Sequence, residues 1–306
     1  METERELVLY LPSRYSVVSD TPVFKKHLLT ADLVSEAGLA KIKSGRPART
    51  EEMLPFHSET YLHALETGSP DDLASSGYTW FPGLYDIMES VVGSFLDAID
   101  RAKQHSVSGS LGGCGHHAGP ERGGALSPVN TVGIGVHYAR HYYKRVFVLD
   151  LDMHFGNGTT AGFPNDPELF LFDYHGHASG FFEPETPHLF RNLISTPDGA
   201  TYLRFLKKEL PLALDRFEPE CCLYVAGMDV FSGTSRAHLL LGAKDIEHRE
   251  RFVFAQLAAR NIPVAYVHGG AYTTEETAAK LYLIAAREAQ RALQQQAPVG
   301  SNAGGS

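Results

Sequence analysis

Short apolar runs alternate along the chain with longer segments in which apolar residues recur every three or four positions. The runs Leu7–Leu11, Ser110–Cys114, Val146–Asp152, Leu169–Asp173, Cys221–Gly227 and Pro263–His268 are mostly rich in Val, Leu, Tyr and Phe. Near-continuous apolar runs of this length suit strands buried on both faces of a parallel sheet. The segments Ser58–Glu66, Leu84–Lys103, Val132–Tyr143, Ala200–Arg216, Ala243–Arg260 and Thr274–Gln294 predict helices. In one of them Leu203, Leu206, Leu210 and Leu214 form a single stripe that can be buried against a sheet. Strands alternating with helices argue for an α/β fold, with a mostly parallel multi-stranded sheet and helices on both faces. One domain over residues 1–293 is expected. Gly68–Ser76 reads as a surface loop, and residues 294–306, rich in Gln, Gly and Ser, as a disordered tail.

Composition narrows the class. The 306 residues are 43% hydrophobic and 21% charged, an ordinary globular balance that excludes collagen-like and largely disordered chains. A net charge of −9 argues against a broad nucleic-acid-binding surface. The N-terminus lacks a basic segment followed by a long apolar one, and no run is long and apolar enough to span a bilayer. A cytoplasmic protein with no membrane partner is therefore the default expectation; composition specifies no oligomeric state. Cys114, Cys221 and Cys222 are an odd number with two adjacent, a poor disulfide framework, and read as buried free thiols.

In open α/β sheets ligands sit beyond the carboxyl ends of the strands. There the sequence places Gly115-His116-His117, Asp152-Met153-His154, His175, Asp229 and Gly269-Gly270-Ala271-Tyr272. The run VFVLDLDMHFGNGT is the most informative. Asp150, Asp152 and His154 alternate on one face, about 6.6 Å apart if fully extended. Carboxylate and imidazole suit zinc, and Asp229 at another strand end can complete a three-ligand site with one open position. The same donor set also accepts iron, cobalt or manganese. Two aspartates and a neutral imidazole nearly cancel the charge of a dication. Water bound there is less acidic than at a three-histidine site, where its pKa falls to about 7. A neighbouring base is then needed, and His116-His117 offers one. Tyr272 can donate its hydroxyl to a developing oxyanion, a contribution of about 2.7–4 kcal/mol for one well-placed donor.

With these residues in hand, the chain resembles the zinc-dependent histone deacetylase superfamily, which has the arginase/deacetylase fold, and within it bacterial class IV-like histone deacetylase-like amidohydrolases. The resemblance runs from about Leu7 to Arg291. It rests on PFHSETYL (Pro55–Leu62), FPGLYD (Phe81–Asp86), GCGHHAGP (Gly113–Pro120), PVNTVGIG (Pro128–Gly135), DLDMHFGNGT (Asp150–Thr159), LYVAGMDV (Leu223–Val230) and HGGAYT (His268–Thr273). It implies Asp152, His154 and Asp229 as zinc ligands and His117 as general base and then general acid. It implies His116 as the companion that orients water, and Tyr272 as the group that polarises the scissile carbonyl. Asp150 falls where an aspartate supports the first histidine and faces a structural monovalent cation, K+. Asn157 falls beside the second histidine. A carboxylate behind an imidazole favours the imidazolium, whereas Asn orients it without that charge. His116 and His117 are thus expected to differ in protonation.

Several positions depart from the family's usual sequence. Phe155 replaces a histidine that is not a zinc ligand. Leu126 stands where an aromatic tunnel wall is usual, and Phe182 is the candidate for the opposite wall. Asp173 stands where a serine often helps bind the monovalent cation. Ala271 stands in a glycine run just before Tyr272. The expected substrate is an acylated amine: an acyl-lysine peptide, an acetylpolyamine or a related small metabolite. One alternative is a non-catalytic metal protein that binds an acylated amine. The other, a two-manganese ureohydrolase, requires a second acid two residues after Asp229, where the chain has Phe231.

Overall fold

The apolar runs become the strands of one parallel sheet. The computed structural model describes residues 6–176, 188–193, 198–234, 239 and 241–295. Among these, the strands are β1 (Val8–Pro12), β2 (Lys41–Gly45), β3 (Val107–Gly113), β4 (Val146–Asp150), β5 (Leu169–His175), β6 (Leu189–Asn192), β7 (Cys221–Ala226) and β8 (Val264–His268). Their order across the sheet is β2-β1-β3-β8-β7-β4-β5-β6, and each neighbouring pair is parallel. The helices are α1 (Pro22–Glu36), α2 (Thr50–Met53), α3 (Glu59–Thr67), α4 (Asp71–Ala74), α5 (Leu84–His105), α6 (Thr131–Ala139), α7 (Asn157–Gly162), α8 (Gly199–Phe217), α9 (Ala243–Ala259) and α10 (Glu275–Gln295). The expected fold class is the one found. Details differ: Gly68–Ser76 contains the short helix α4, α10 reaches Gln295, and α1, α2, α7, β2 and β6 lie outside the predicted elements.

Alternation along each strand divides the core between the two faces of the sheet. Phe147 and Leu149 of β4, with Phe170, Phe172 and Tyr174 of β5, pack on the side of α8, α9 and α10. Val146 and Val148, with Leu169 and Leu171, pack on the side of α5 and α6. The leucine stripe of α8 is buried on the first side as expected. All three cysteines are buried and free. No helix among the described residues is long and apolar enough to cross a membrane.

The two sides of the chain order meet in the middle of the sheet. β1 and β2 extend from β3 one way, β5 and β6 extend from β4 the other, and β8 and β7 lie between. The loops that leave β3, β8, β7 and β4 therefore share one end of the sheet at a switch in connectivity, where this fold class opens a crevice.

Candidate active site

Four neighbouring strand ends deliver the predicted residues. Beyond β4, the chain turns so that Asp152 Oδ1 accepts from the His154 amide at 2.9 Å. Asp229 follows β7, and its Oδ1 accepts from the Met153 amide at 2.8 Å. Buried Arg249 of α9 joins the two segments from behind: it donates to the Leu151 carbonyl at 3.2 Å and to the Gly227 carbonyl at 2.7 Å. After β8, the Gly270 amide donates to Asp152 Oδ2 at 2.5 Å. A side chain at Gly270 is excluded by close approach, since a Cβ there would lie 2.4 Å from Asp229 Oδ2.

Asp152, His154 and Asp229 come together with one ligand atom each, all within 4.8 Å of one another. His154 Nδ1 is 3.1 Å from Asp152 Oδ1 and 2.8 Å from Asp229 Oδ2. Both carboxylates are buried. Two buried acids side by side are costly unless a cation or proton lies between them. Burial opposes a charge on His154, but its hydrogen bonds to the two acids outweigh it and raise its pKa to about 10. The donor set and its convergence fit a divalent ion such as zinc. It is the one such cluster among the described residues.

The adjacent histidines diverge in partner. His116 is buried and its Nδ1 lies 2.8 Å from Asp150 Oδ2. Burial disfavours its charge, yet the nearby charges of Asp150 and Asp152 prevail and push its pKa up to about 9. His117 Nδ1 donates to Asn157 Oδ1 at 2.7 Å. Burial and the neighbouring His116 hold its pKa down near 3. One imidazole thus favours the charged form and the other the neutral form, although their ring centroids are only 4.1 Å apart. The His154 ring stands edge-on to His117 at 5.9 Å and to Tyr272 at 5.6 Å.

Asp152, His116, His117 and Tyr272 line one cavity of about 90 Å³, together with Leu126 and Gly270. Leu126 is 49% exposed and its φ of 61° lies in the left-handed region, an unusual conformation for a branched side chain at the rim. A second cavity of about 80 Å³, lined by Tyr15, Phe24 and Met88, shares Val23, His27 and Leu126 with the first. Phe182 lies outside the described residues. Ala271 is buried and avoids the left-handed region, so a glycine is not required there.

At the place where a monovalent cation is implied, every side-chain oxygen has an N–H partner. Asp150 Oδ1 accepts from the Asp152 amide at 3.0 Å, and Oδ2 faces His116. Asp173 Oδ2 accepts from the Gly156 amide at 2.9 Å, and Oδ1 lies 2.8 Å from His175 Nδ1. An ion there would have to share these oxygens or rest on main-chain carbonyls.

The sequence did not single out Arg249 or Asn130. Asn130 caps α6 by accepting from the Gly133 amide at 2.8 Å and donates to the Ala118 carbonyl at 2.9 Å, which ties down the loop after the histidine pair. Its place in the PVN run was the available signal. Arg249 had none, because a charged residue in a helix ordinarily reads as part of a solvent face.

Comparison with known proteins supplies the family. A family model described as "Histone deacetylase domain" matches residues 21–287. The chain is 28% identical over 235 residues to histone deacetylase 2 of Arabidopsis thaliana, covering 72% of this chain and 60% of that protein. It is 25% identical over 277 residues to histone deacetylase B of Dictyostelium discoideum, covering 82% and 65%. It is 24% identical over 280 residues to human histone deacetylase 1, covering 82% and 57%. The match thus spans less than two thirds of the length of each of these relatives.

Proposed function

The chain belongs to the histone deacetylase domain family, and from that premise we propose that it is a metal-dependent hydrolase of N-acyl amides. The proposed substrate is an acyl group, acetyl first, on lysine, a polyamine or a related small amine. The observation that carries this reading is the convergence of Asp152, His154 and Asp229 beside a cavity that Asp152, His116, His117 and Tyr272 line. In this reading Asp152, His154 and Asp229 hold a single zinc ion. When bound, zinc supplies Lewis-acid polarisation of the acyl carbonyl and acidification of a water molecule.

The chain's own residues carry the proton traffic. Because His117 Nδ1 donates to Asn157, its Nε2 lone pair is free to take the proton of the attacking water. As the new C–O bond forms, negative charge grows on the carbonyl oxygen, and the Tyr272 hydroxyl donates to it. The His116 imidazolium, held by Asp150, adds positive charge beside the reacting centre. His117 then returns its proton to the amine nitrogen as the C–N bond breaks. The products are a carboxylate and a free amine.

The test is turnover of a panel of acyl-lysine peptides, acetylpolyamines and other N-acyl amines by the zinc-loaded protein. Hydrolysis of at least one class is expected, with loss on chelation and recovery on zinc return. Tyr272→Phe is expected to lower kcat by about 10²–10³-fold. A protein that binds these amides without hydrolysing any of them is instead a non-catalytic binding protein.

A further inference from the structure

Two departures from the family's usual residues, Phe155 and Asp173, meet in one buried cluster. Asp173 lies opposite Asp150 in the parallel register of β4 and β5, so the two side chains share a face of the sheet. Asp173 Oδ1 is paired with His175 Nδ1, and the His175 ring packs at 5.0 Å against Phe155. The other oxygen of Asp173 accepts the Gly156 amide. All five residues are buried.

Gly156 is where this cluster reaches the site. Its φ of −72° and ψ of 56° are those of an inverse γ-turn, closed by the Asn157 amide donating to the Phe155 carbonyl at 2.8 Å. A Cβ at Gly156 would lie 2.9 Å from Asp150 Oδ2, 3.2 Å from Asp173 Oδ2 and 3.5 Å from His116 Nδ1. The turn is thus pressed against both acids. Asn157, the next residue, is exposed to solvent, yet its carbonyl is the partner of His117 Nδ1. An exposed side chain is held in one orientation mainly by the backbone that carries it.

We infer that Asp173 is a positioning residue: by gripping the Gly156 amide it fixes the Gly156-Asn157 turn, and through Asn157 it fixes the imidazole of His117. His175 holds the grip by engaging the second carboxylate oxygen from the far side, and Phe155 packs against the His175 ring. A serine at position 173, the usual family residue, is shorter than Asp and carries one oxygen, so it does not supply both contacts at once. The inference rests on the reading of His117 as the base, and it concerns how that base is aimed.

The decisive experiment is a double-mutant cycle on the zinc-loaded protein, with zinc content measured on each preparation. Asp173→Ala and Asp173→Ser are expected to lower kcat by up to about 100-fold with KM and zinc content unchanged. Asp173→Asn keeps an oxygen for the Gly156 amide and recovers most of the rate. In an Asn157→Ala background, Asp173→Ala is expected to cost little more, because both changes cut the same tie. Multiplying losses in the double variant, or an Asp173→Asn as slow as Asp173→Ala, overturns the inference. A second readout does not depend on turnover. In protein labelled with 15N-histidine, the hydrogen-bonded His117 Nδ1–H proton is expected in the wild type and Asp173→Asn, and lost in Asp173→Ala and Asn157→Ala. Its persistence in Asp173→Ala overturns the inference even if no amide substrate is found.

Discussion

His154 and Asp229 are 75 positions apart in the chain, yet His154 Nδ1 lies 2.8 Å from Asp229 Oδ2. The same nitrogen faces Asp152 Oδ1. A proton on Nδ1 and a metal ion between the acids therefore compete for one place.

This competition sets a pH dependence for zinc binding. Without the ion, His154 keeps its proton up to about pH 10, and Nδ1 must lose that proton to become a ligand. Zinc affinity should therefore rise with pH, by about tenfold per unit for one proton displaced. Competition titrations with a metal indicator between about pH 6 and 8 check this. An affinity that stays flat across that range contradicts the assignment of His154 Nδ1 as a ligand.

The contrast between the two adjacent histidines has its own test. Burial and His116 keep His117 neutral down to about pH 3, and Asn157 orients it without adding charge. Asn157→Asp places an anion at the same atom and raises the His117 pKa. The neutral base is then lost at higher pH on acidification, so the acidic limb of kcat/KM should move upward by about one to three pH units. A limb that stays in place shows that Asn157 does not control the base.

Arg249 is buried in α9 and supports the site from outside the cavity. Its side chain bonds the carbonyls of Leu151 and Gly227 and pairs with buried Glu250 at 2.7 Å. Arg249→Met removes both carbonyl bonds and leaves Glu250 buried without its cation, with the Tyr224 hydroxyl as remaining donor. The expected loss is about 3–5 kcal/mol in denaturant unfolding, accompanied by weaker zinc binding because the Asp152 and Asp229 segments are no longer tied together. Unchanged stability contradicts this account.

The parts of the fold that could be read in advance are those whose burial leaves an apolar record. β4, β5 and β7 are buried along their whole length, and VFVL, LFLF and CCLYVA stand out in them as apolar runs. β2 and β6 lie at the two edges of the sheet and are largely unburied; KIKSG and LFRN carry no such run. α1 was missed for a different reason. Its buried face includes Lys26, His27 and Thr30 beside Phe24, Ala31 and Val34, so polar side chains interrupt the apolar period.

The site divides in the same way. Asp152, His154, Asp229, His116 and His117 sit just past buried strands, where a polar residue has little packing reason to recur, and their meeting at one end of the sheet could be anticipated. Asp173 and His175 lie inside the strand LFLFDYH, and only the register with β4 reveals that Asp173 faces Asp150. The grip on Gly156 could not be read from spacing, because it joins a strand to a turn of another loop.

The central claim is that one divalent ion is held by Asp152, His154 and Asp229. Anomalous diffraction at the zinc absorption edge, from crystals grown with zinc, tests it directly. A single peak is predicted within about 2.0–2.2 Å of one atom from each of the three residues. An absent peak, a peak elsewhere, or a pair of peaks about 3.5–4 Å apart contradicts it.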